Sequence, residues 1–122
     1  MAPPAAPLVI ASYRGGAFNV SGTRHAGSII LLRDRVLPWA IADLAAIDAA
    51  DLAETVAASG AVVELLLIGC GPRLVPVAPA LRQALKTRGI AVEPMDTGAA
   101  CRTFNVLTAE ERRVAAALIA VP

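Results

Sequence analysis

The first third of the chain consists of short apolar stretches separated by glycine. Leu8–Tyr13 is an apolar run that ends at Gly15-Gly16, where the backbone is free to turn. Ala17–Val20 and Thr23–His25 flank Ser21-Gly22, a pair suited to a tight hairpin turn. This pattern predicts an N-terminal β-hairpin region.

Two further apolar runs follow before the first helical pattern. Ser28–Arg33 is rich in Ile and Leu and predicts a short strand. Leu37-Pro38-Trp39 predicts an edge strand, because Pro38 has no backbone N–H to donate to a ladder. Trp39 is either an exposed anchor for a partner or a residue that covers the core or the sheet edge.

The middle of the chain alternates between strand and helix patterns. Asp48 predicts the N-cap of a helix over Ala49–Ser59. Val62–Ile68 is a nearly continuous apolar run, typical of a strand buried on both faces. A second helix is predicted over Ala78–Arg88 and a strand over Ile90–Met95. Together they predict a βαβ unit with parallel strands and a right-handed crossover.

The C-terminal quarter predicts two helices. Thr97 is the expected N-cap of a short helix over Gly98–Val106. Thr108–Glu111 matches a capping box, in which the threonine and the glutamate each satisfy a backbone amide. It predicts a last helix that ends near Ala120.

These elements predict a single α/β domain over residues 8–122, after a flexible leader of residues 1–7. We expect a central mixed sheet with a parallel βαβ unit, helices packed on it, and the N-terminal β-hairpin region. A chain of 122 residues is long enough for one core. Hydrophobic residues make up 57% and aromatics only 3%, so Leu, Val, Ile and Ala must build that core.

Composition excludes several classes of protein. A net charge of +1 gives no strong field for nucleic acid. The N-terminal stretch has no basic residue before its apolar run, and the apolar runs are too short or too charged to span a bilayer. We therefore expect a cytoplasmic protein without direct membrane insertion. Two distant cysteines and one histidine predict neither a disulfide framework nor a metal site, and no cofactor motif is present.

The predicted topology brings two loops to one edge of the sheet. Parallel strands end at the same carboxyl edge, so Gly69–Arg73 and Thr97–Arg102 should be neighbours, and ligands of open α/β sheets bind at this edge. Glycines and unpaired helix-start amides there suggest a small anion as ligand. In the alternative, Asp96 satisfies those amides and pairs with Arg102. The candidate ligand-binding residues are Gly69, Cys70, Gly71, Arg73, Asp96, Thr97, Gly98, Cys101 and Arg102.

Cys101 has two interpretations. The helix dipole and Arg102 could favour its thiolate, and proximity to Cys70 would permit a reversible disulfide. Alternatively, Cys101 is a small buried hydrophobic residue at a helix–sheet contact, which is the interpretation we favour. No histidine lies near it in sequence to act as a base, so we assign no catalytic residue.

The clearest signature is the run from Met95 to Leu107, followed by Glu110, Arg112-Arg113 and Val114–Leu118. With upstream positions it closely resembles the Mth938-like family of small α/β proteins, long described as a domain of unknown function. The upstream positions are Tyr13, Phe18, Gly22, Gly27-Ser28, Trp39 and Leu66–Gly71. The resemblance covers the chain after the leader and implies a single domain with a mixed sheet.

The resemblance also bears on function. Mitochondrial relatives look like assembly factors for respiratory complex I, another animal relative is tied to adipogenesis, and bacterial relatives generally lack an assigned activity. This chain departs from the family at four positions. Phe104 and His25 replace a usual tyrosine, Cys70 a frequent threonine, and Glu111 a common glycine.

Two hypotheses follow. The first is a non-enzymatic assembly or interaction factor that acts through a protein partner or a homodimer. The second is a small-anion-binding or thiol redox module centred on Cys70, Asp96, Cys101 and Arg102. We favour the first, because no general base or cofactor motif accompanies the cysteines.

Overall fold

A computed structural model describes residues 6–41 and 44–122. Most of the predicted leader, residues 1–5, therefore lies outside the described residues. The strands are β1 (Ile10–Arg14), β2 (Ala17–Val20), β3 (Thr23–Ala26), β4 (Ile29–Leu31), β5 (Val36–Pro38), β6 (Leu65–Gly69), β7 (Ala91–Met95) and β8 (Val114–Leu118). The helices are α1 (Ala49–Ala58), α2 (Pro79–Lys86) and α3 (Thr97–Ala109), and a single 3-10 turn covers Leu44–Ala46.

The strands form two sheets. A three-stranded antiparallel sheet has the order β1-β2-β3, and a five-stranded sheet has the order β5-β4-β8-β6-β7. In the larger sheet β6 is parallel to both β7 and β8, while β4 is antiparallel to β5 and β8. The predicted α/β class is therefore confirmed, with its mixed sheet, parallel βαβ unit and N-terminal hairpin.

The hairpin between β2 and β3 turns where the sequence predicts. Ser21 and Gly22 have φ values of 49° and 91°. Positive φ at both central residues is what a two-residue turn of type I′ requires. The side chain of Asn19 accepts a hydrogen bond from the Gly22 amide at 3.1 Å, which supports the turn from inside the strand.

Some predicted boundaries of helices and strands were confirmed, and others lie at different residues. Asp48 caps α1, with its carboxylate accepting from the Asp51 amide at 3.0 Å. The Leu37–Trp39 segment lies at the edge of the larger sheet, as expected, and Trp39 is half-buried against the core. The strand predicted from Val62 begins only at Leu65, and Val62 is 67% exposed.

The predicted boundary between two C-terminal helices was wrong. Asp96 is the N-cap of α3, and Thr97 is its first residue rather than its cap. The helix continues to Ala109, so Thr108–Glu111 ends a helix instead of starting one. Glu111 has φ 61°, the left-handed conformation that commonly ends helices. Glycine adopts this conformation without strain, so Glu111 is less favourable at this position than a glycine would be.

The predicted last helix was also wrong, because residues 114–118 form strand β8. All five of its residues are buried. A surface helix needs a polar face, whereas the apolar run Val114–Ile119 offers none. A central strand covered on both faces accommodates such a run, and its contacts on both sides override the helix propensity of three alanines.

The core has two parts, one on each face of the larger sheet. On one face α1 and α2 contribute Leu52, Val56, Leu81 and Leu85. On the other, α3 and the three-stranded sheet contribute Phe104, Phe18 and Ile10. Neighbouring residues of β6 and β8 point alternately to the two clusters. The molecule is thus built in three layers, and the carboxyl ends of β6 and β7 meet α3.

Candidate functional site

The two predicted loops do meet at the carboxyl edge. The Cys70 amide donates to the Met95 carbonyl at 2.8 Å, and the Thr97 amide donates to the Gly71 carbonyl at 2.8 Å. The adjacency expected from parallel strands is therefore present. These bonds use backbone groups of both loops, so the loops hold each other in place.

Thr97 is the centre of this junction. Its side chain is fully buried. Its hydroxyl donates to the Ile119 carbonyl at 2.8 Å and accepts from the Gly71 amide at 2.9 Å. One hydroxyl thereby joins the end of β6, the start of α3 and the end of β8.

The amides at the start of α3 have an internal acceptor. The Asp96 carboxylate accepts from the Ala99 amide at 2.8 Å, and the Asp96 carbonyl accepts from the Ala100 amide at 2.9 Å. A carboxylate at a helix N-terminus also interacts favourably with the helix dipole. The place where an anion would bind is therefore partly taken by Asp96 itself, as the alternative interpretation expects.

Two glycines allow close approach at the junction. A Cβ at Gly69 would lie 2.9 Å from a Leu118 methyl carbon and 3.0 Å from the Thr97 hydroxyl. A Cβ at Gly98 would lie 2.8 Å from the Tyr13 hydroxyl. The distances of 2.9 Å at Gly69 and 2.8 Å at Gly98 are shorter than real contacts to a Cβ, so these glycines let α3 pack against the sheet and let Tyr13 cover the start of the helix.

The arginines at this edge have other contacts than expected. Arg102 donates to the Tyr13 hydroxyl at 2.8 Å and forms no ion pair with Asp96 in the described structure. Arg73 is exposed in the loop after β6. At the opposite edge, Arg113 pairs with Glu64 at 3.3 Å.

Cys101 is a buried thiol in the hydrophobic cluster formed by α3. Burial raises its pKa from 9.0 to about 12; Arg102 lowers it and Asp96 raises it, both to a smaller extent. The thiol is therefore protonated at neutral pH. The favoured interpretation, a small buried hydrophobic residue, agrees with this geometry better than a reactive thiolate.

The two cysteines belong to different faces of the larger sheet. Cys70 packs in the cluster with α1 and α2, and Cys101 packs in the cluster with α3. Both are free and buried, and the Cys70 thiol donates to the Val75 carbonyl at 3.3 Å. The topology thus brings their loops together but points their side chains apart, which is not the arrangement that a reversible disulfide needs.

Sequence reasoning assigned no role to Asn105, although it lies within the signature run. Its side-chain oxygen accepts from the Ile10 amide, and its side-chain nitrogen donates to the Ile10 carbonyl, both at 2.9 Å. These bonds occur where the pairing of β1 with β2 shifts register, between Ile10 and Ser12. Asn105 thus replaces a missing strand neighbour. Only its place in the family signature could have singled it out.

The described cavities are lined by other residues. The largest, about 530 Å³, lies between the start of α1 and the loop before α2. It is lined by residues of apolar type: Ala45, Ile47, Ala49, Val75, Pro76, Val77, Ala78, Ala80 and Leu81. Within the described ranges no group of three or more His, Cys, Asp or Glu residues could hold a metal ion. None of the helices in that part of the chain is long and apolar enough to cross a membrane.

Fold and junction together define a class: a small α/β domain in which a strand-to-helix junction is held by its own backbone, a buried threonine and an N-cap aspartate. A family model described as "Protein of unknown function (DUF498/DUF598)" matches residues 10–119. The chain belongs to this family.

Two solved structures are very similar. A protein of Bordetella parapertussis is 36% identical with a TM-score of 0.86, and the match covers 97% of this chain and 99% of that one. A Bordetella pertussis protein described as a Mth938-like domain is 29% identical with a TM-score of 0.82, over 98% of this chain and 90% of that one. The resemblance to the Mth938-like family is confirmed.

The curated relatives include an uncharacterized bacterial protein and vertebrate proteins named as assembly factors. An uncharacterized protein of Rhodobacter capsulatus is 36% identical over 97% of this chain and 89% of its own length. A Danio rerio protein named NADH dehydrogenase (ubiquinone) 1 alpha subcomplex assembly factor 3 is 37% identical over 96% of this chain and 67% of its own. The human protein of that name matches over only 62% of its length, so the chain spans about two thirds of these vertebrate relatives.

Proposed function

We propose that this domain is a non-enzymatic assembly or interaction factor, related in role to the proteins that assist the assembly of respiratory complex I. The observation that carries the proposal is the match of nearly the whole chain to vertebrate proteins named as complex I assembly factors. The matched region is the entire α/β domain, so the shared part is a folded unit and not a short motif. The domain would act from the cytoplasm on a partner protein.

The chemistry of the carboxyl edge supports a binding role over a catalytic one. The Thr97 hydroxyl and the Ala99 amide are engaged within the fold, and the Cys101 thiol is buried with a raised pKa. A small-anion or thiol redox module at Cys70, Asp96, Cys101 and Arg102 has no comparable support. We therefore propose that Asp96, Cys101 and Arg102 serve mainly to hold α3 in place, and that Cys70 packs against the α1 and α2 layer.

The test is deletion of the gene in the source organism, with blue-native electrophoresis and NADH:ubiquinone oxidoreductase activity of the membranes as readouts. We expect a loss of assembled complex I that the wild-type protein restores. The Cys101→Ala variant should restore it equally well, because its thiol has no chemical role in this proposal. An unchanged level of complex I after deletion would overturn the proposal. A folded Cys101→Ala protein that fails to restore the complex would favour thiol chemistry instead.

A further inference from the structure

The outer edges of the two sheets differ in how their backbone groups are used. At the edge of β7, Pro94 has no N–H, and Arg82 donates to the Val92 carbonyl at 2.8 Å. At the edge of β5, the strand has only three residues and ends at Pro38. At the edge of β1, the Asn105 side chain occupies both backbone groups of Ile10. Such devices prevent another chain from pairing with an edge strand.

The remaining edge, β3, has neither a proline nor a side chain bound to its outward backbone groups in the described structure. A two-residue turn makes Val20 and Thr23 a hydrogen-bonded pair, and such pairs alternate along an antiparallel ladder. The backbone N–H and C=O groups of Arg24 and Ala26 therefore point away from β2. None of the described hydrogen bonds uses them. β3 can thus accept one more strand.

A groove runs beside this edge, with a volume of about 380 Å³. Ile29, Val36 and Pro38 give it an apolar floor on the side of the larger sheet, and Arg24, His25 and Ala26 line it on the side of β3. A strand paired with β3 would lie 4.7–4.9 Å from it. Its alternate side chains would then reach this floor, as in other complexes formed by strand addition.

The charge along the β3 edge indicates which kind of partner strand would pair with it. The first 33 residues contain Arg14, Arg24 and Arg33 and no aspartate or glutamate. All ten acidic residues follow from Asp34 onward, where they exceed the remaining eight basic residues. Arg24 is the one charged residue that lines this groove in the described structure, and no aspartate or glutamate does, so the edge presents positive charge. In an antiparallel pair of two β3 strands, the two Arg24 side chains would be directly opposite each other or diagonal neighbours on one face, which is unfavourable for like charges.

We propose that β3 is a docking edge for an extended, acidic segment of a partner protein, which adds a fourth strand to the three-stranded sheet. Backbone hydrogen bonds to Arg24 and Ala26 provide the pairing. The apolar floor takes alternate side chains of the partner, and Arg24 attracts its carboxylates. This inference rests on the proposed binding role of the domain and specifies the chemistry of its partner.

The experiment is photo-crosslinking in cells of the source organism, with benzoylphenylalanine at the exposed Thr23 position and, as a site control, at Val106. We expect an adduct at position 23 that is absent at position 106 and whose partner peptide carries net negative charge. Ala26→Pro removes the outward N–H, and Arg24→Glu reverses the charge. Each should lower the adduct at least tenfold. Arg112→Glu, the same charge change at a distant exposed site, should leave it within twofold.

Circular dichroism must show that the variants fold; if Ala26→Pro does not, Arg24→Glu alone decides. The proposal is overturned if no adduct forms at position 23, if both variants keep it, or if it maps to a second copy of this chain or to a basic segment.

The level of assembled complex I distinguishes a failure of the docking edge from a failure of the proposed function. If the deletion reduces complex I and both edge variants restore it, only the docking edge is wrong. If complex I does not change on deletion while the acidic adduct persists, only the role in complex I is wrong.

Discussion

At the scale of single residues, the surroundings of Cys101 decide its chemistry more than its neighbours in sequence do. The sequence places it in the first turns of a helix, beside Arg102, where both the helix dipole and the guanidinium favour a thiolate. Burial in the α3 cluster outweighs both and raises its pKa to about 12. The position of Cys101 in the sequence predicts its place near the start of a helix and its charged neighbour, but not how deeply its side chain is buried.

This raised pKa predicts a loss of stability at alkaline pH. The folded protein holds the Cys101 proton more tightly than the unfolded chain, so the contribution is fully present below about pH 9 and is lost as the pH rises toward 12. The slope approaches about 1.4 kcal/mol per pH unit. Urea denaturation at pH 8, 9, 10 and 11 should show this loss in the wild type and in Cys70→Ala, but not in Cys101→Ala. The prediction is wrong if the free energy of unfolding falls equally with pH in all three proteins.

Thr97 predicts a stability effect at neutral pH. Replacing it by valine keeps the shape but leaves the buried Gly71 amide and Ile119 carbonyl without their partner. The expected loss in the free energy of unfolding is about 1–3 kcal/mol. Thr103→Val is the matched control, because the half-buried Thr103 lies on the same helix and makes neither bond. Equal effects of the two changes in urea denaturation would show that the Thr97 hydroxyl does not stabilise the junction.

At the scale of elements, Asn105 shows how a helix can complete a sheet. Its amide pairs with both backbone groups of Ile10, as a neighbouring strand would. Asn105→Asp keeps the acceptor but sets a carboxylate oxygen against the Ile10 carbonyl. We expect the free energy of unfolding to fall by about 1–3 kcal/mol. Hydrogen exchange should accelerate more in β1 than in β6. Asn19→Asp is the control, since Asn19 only accepts a hydrogen bond, from Gly22. A similar response to both changes would contradict the strand-like role of Asn105.

The elements that sequence reasoning predicted correctly are those with local signals. The hairpin turn at Ser21-Gly22, the Asp48 cap and the strand-helix-strand order of the βαβ unit each follow from neighbouring residues. The C-terminal region was predicted wrongly because its local sequence fits both a helix and a strand. Thr108–Glu111 matches a capping box, but β8 is specified by its position between β4 and β6, which are far away in sequence.

The candidate site shows the same division between local and distant information. Parallel topology correctly predicted that the two loops meet, because strand direction follows from the order of elements. The groups that complete the junction are the Tyr13 side chain and the Ile119 backbone carbonyl, which come from opposite ends of the chain. The face of the sheet that Cys70 occupies depends on the register of β6, whereas Cys101 lies on the face against which α3 packs.

At the scale of the whole molecule, the two hydrophobic clusters share strands and should therefore unfold together. β4, β6 and β8 give alternate residues to both clusters, so neither face can lose its packing while the other keeps it. Cys70 reports on one face and Cys101 on the other, which makes thiol labelling in single-cysteine variants a test. In Cys70→Ala and in Cys101→Ala, the remaining thiol should become reactive at the same urea concentration at which Trp39 fluorescence changes. Labelling of Cys101 well before the Trp39 transition would instead show that α3 and the three-stranded sheet detach as a separate unit. That result would place the β3 docking edge on a part of the molecule that opens independently of the α1 and α2 layer.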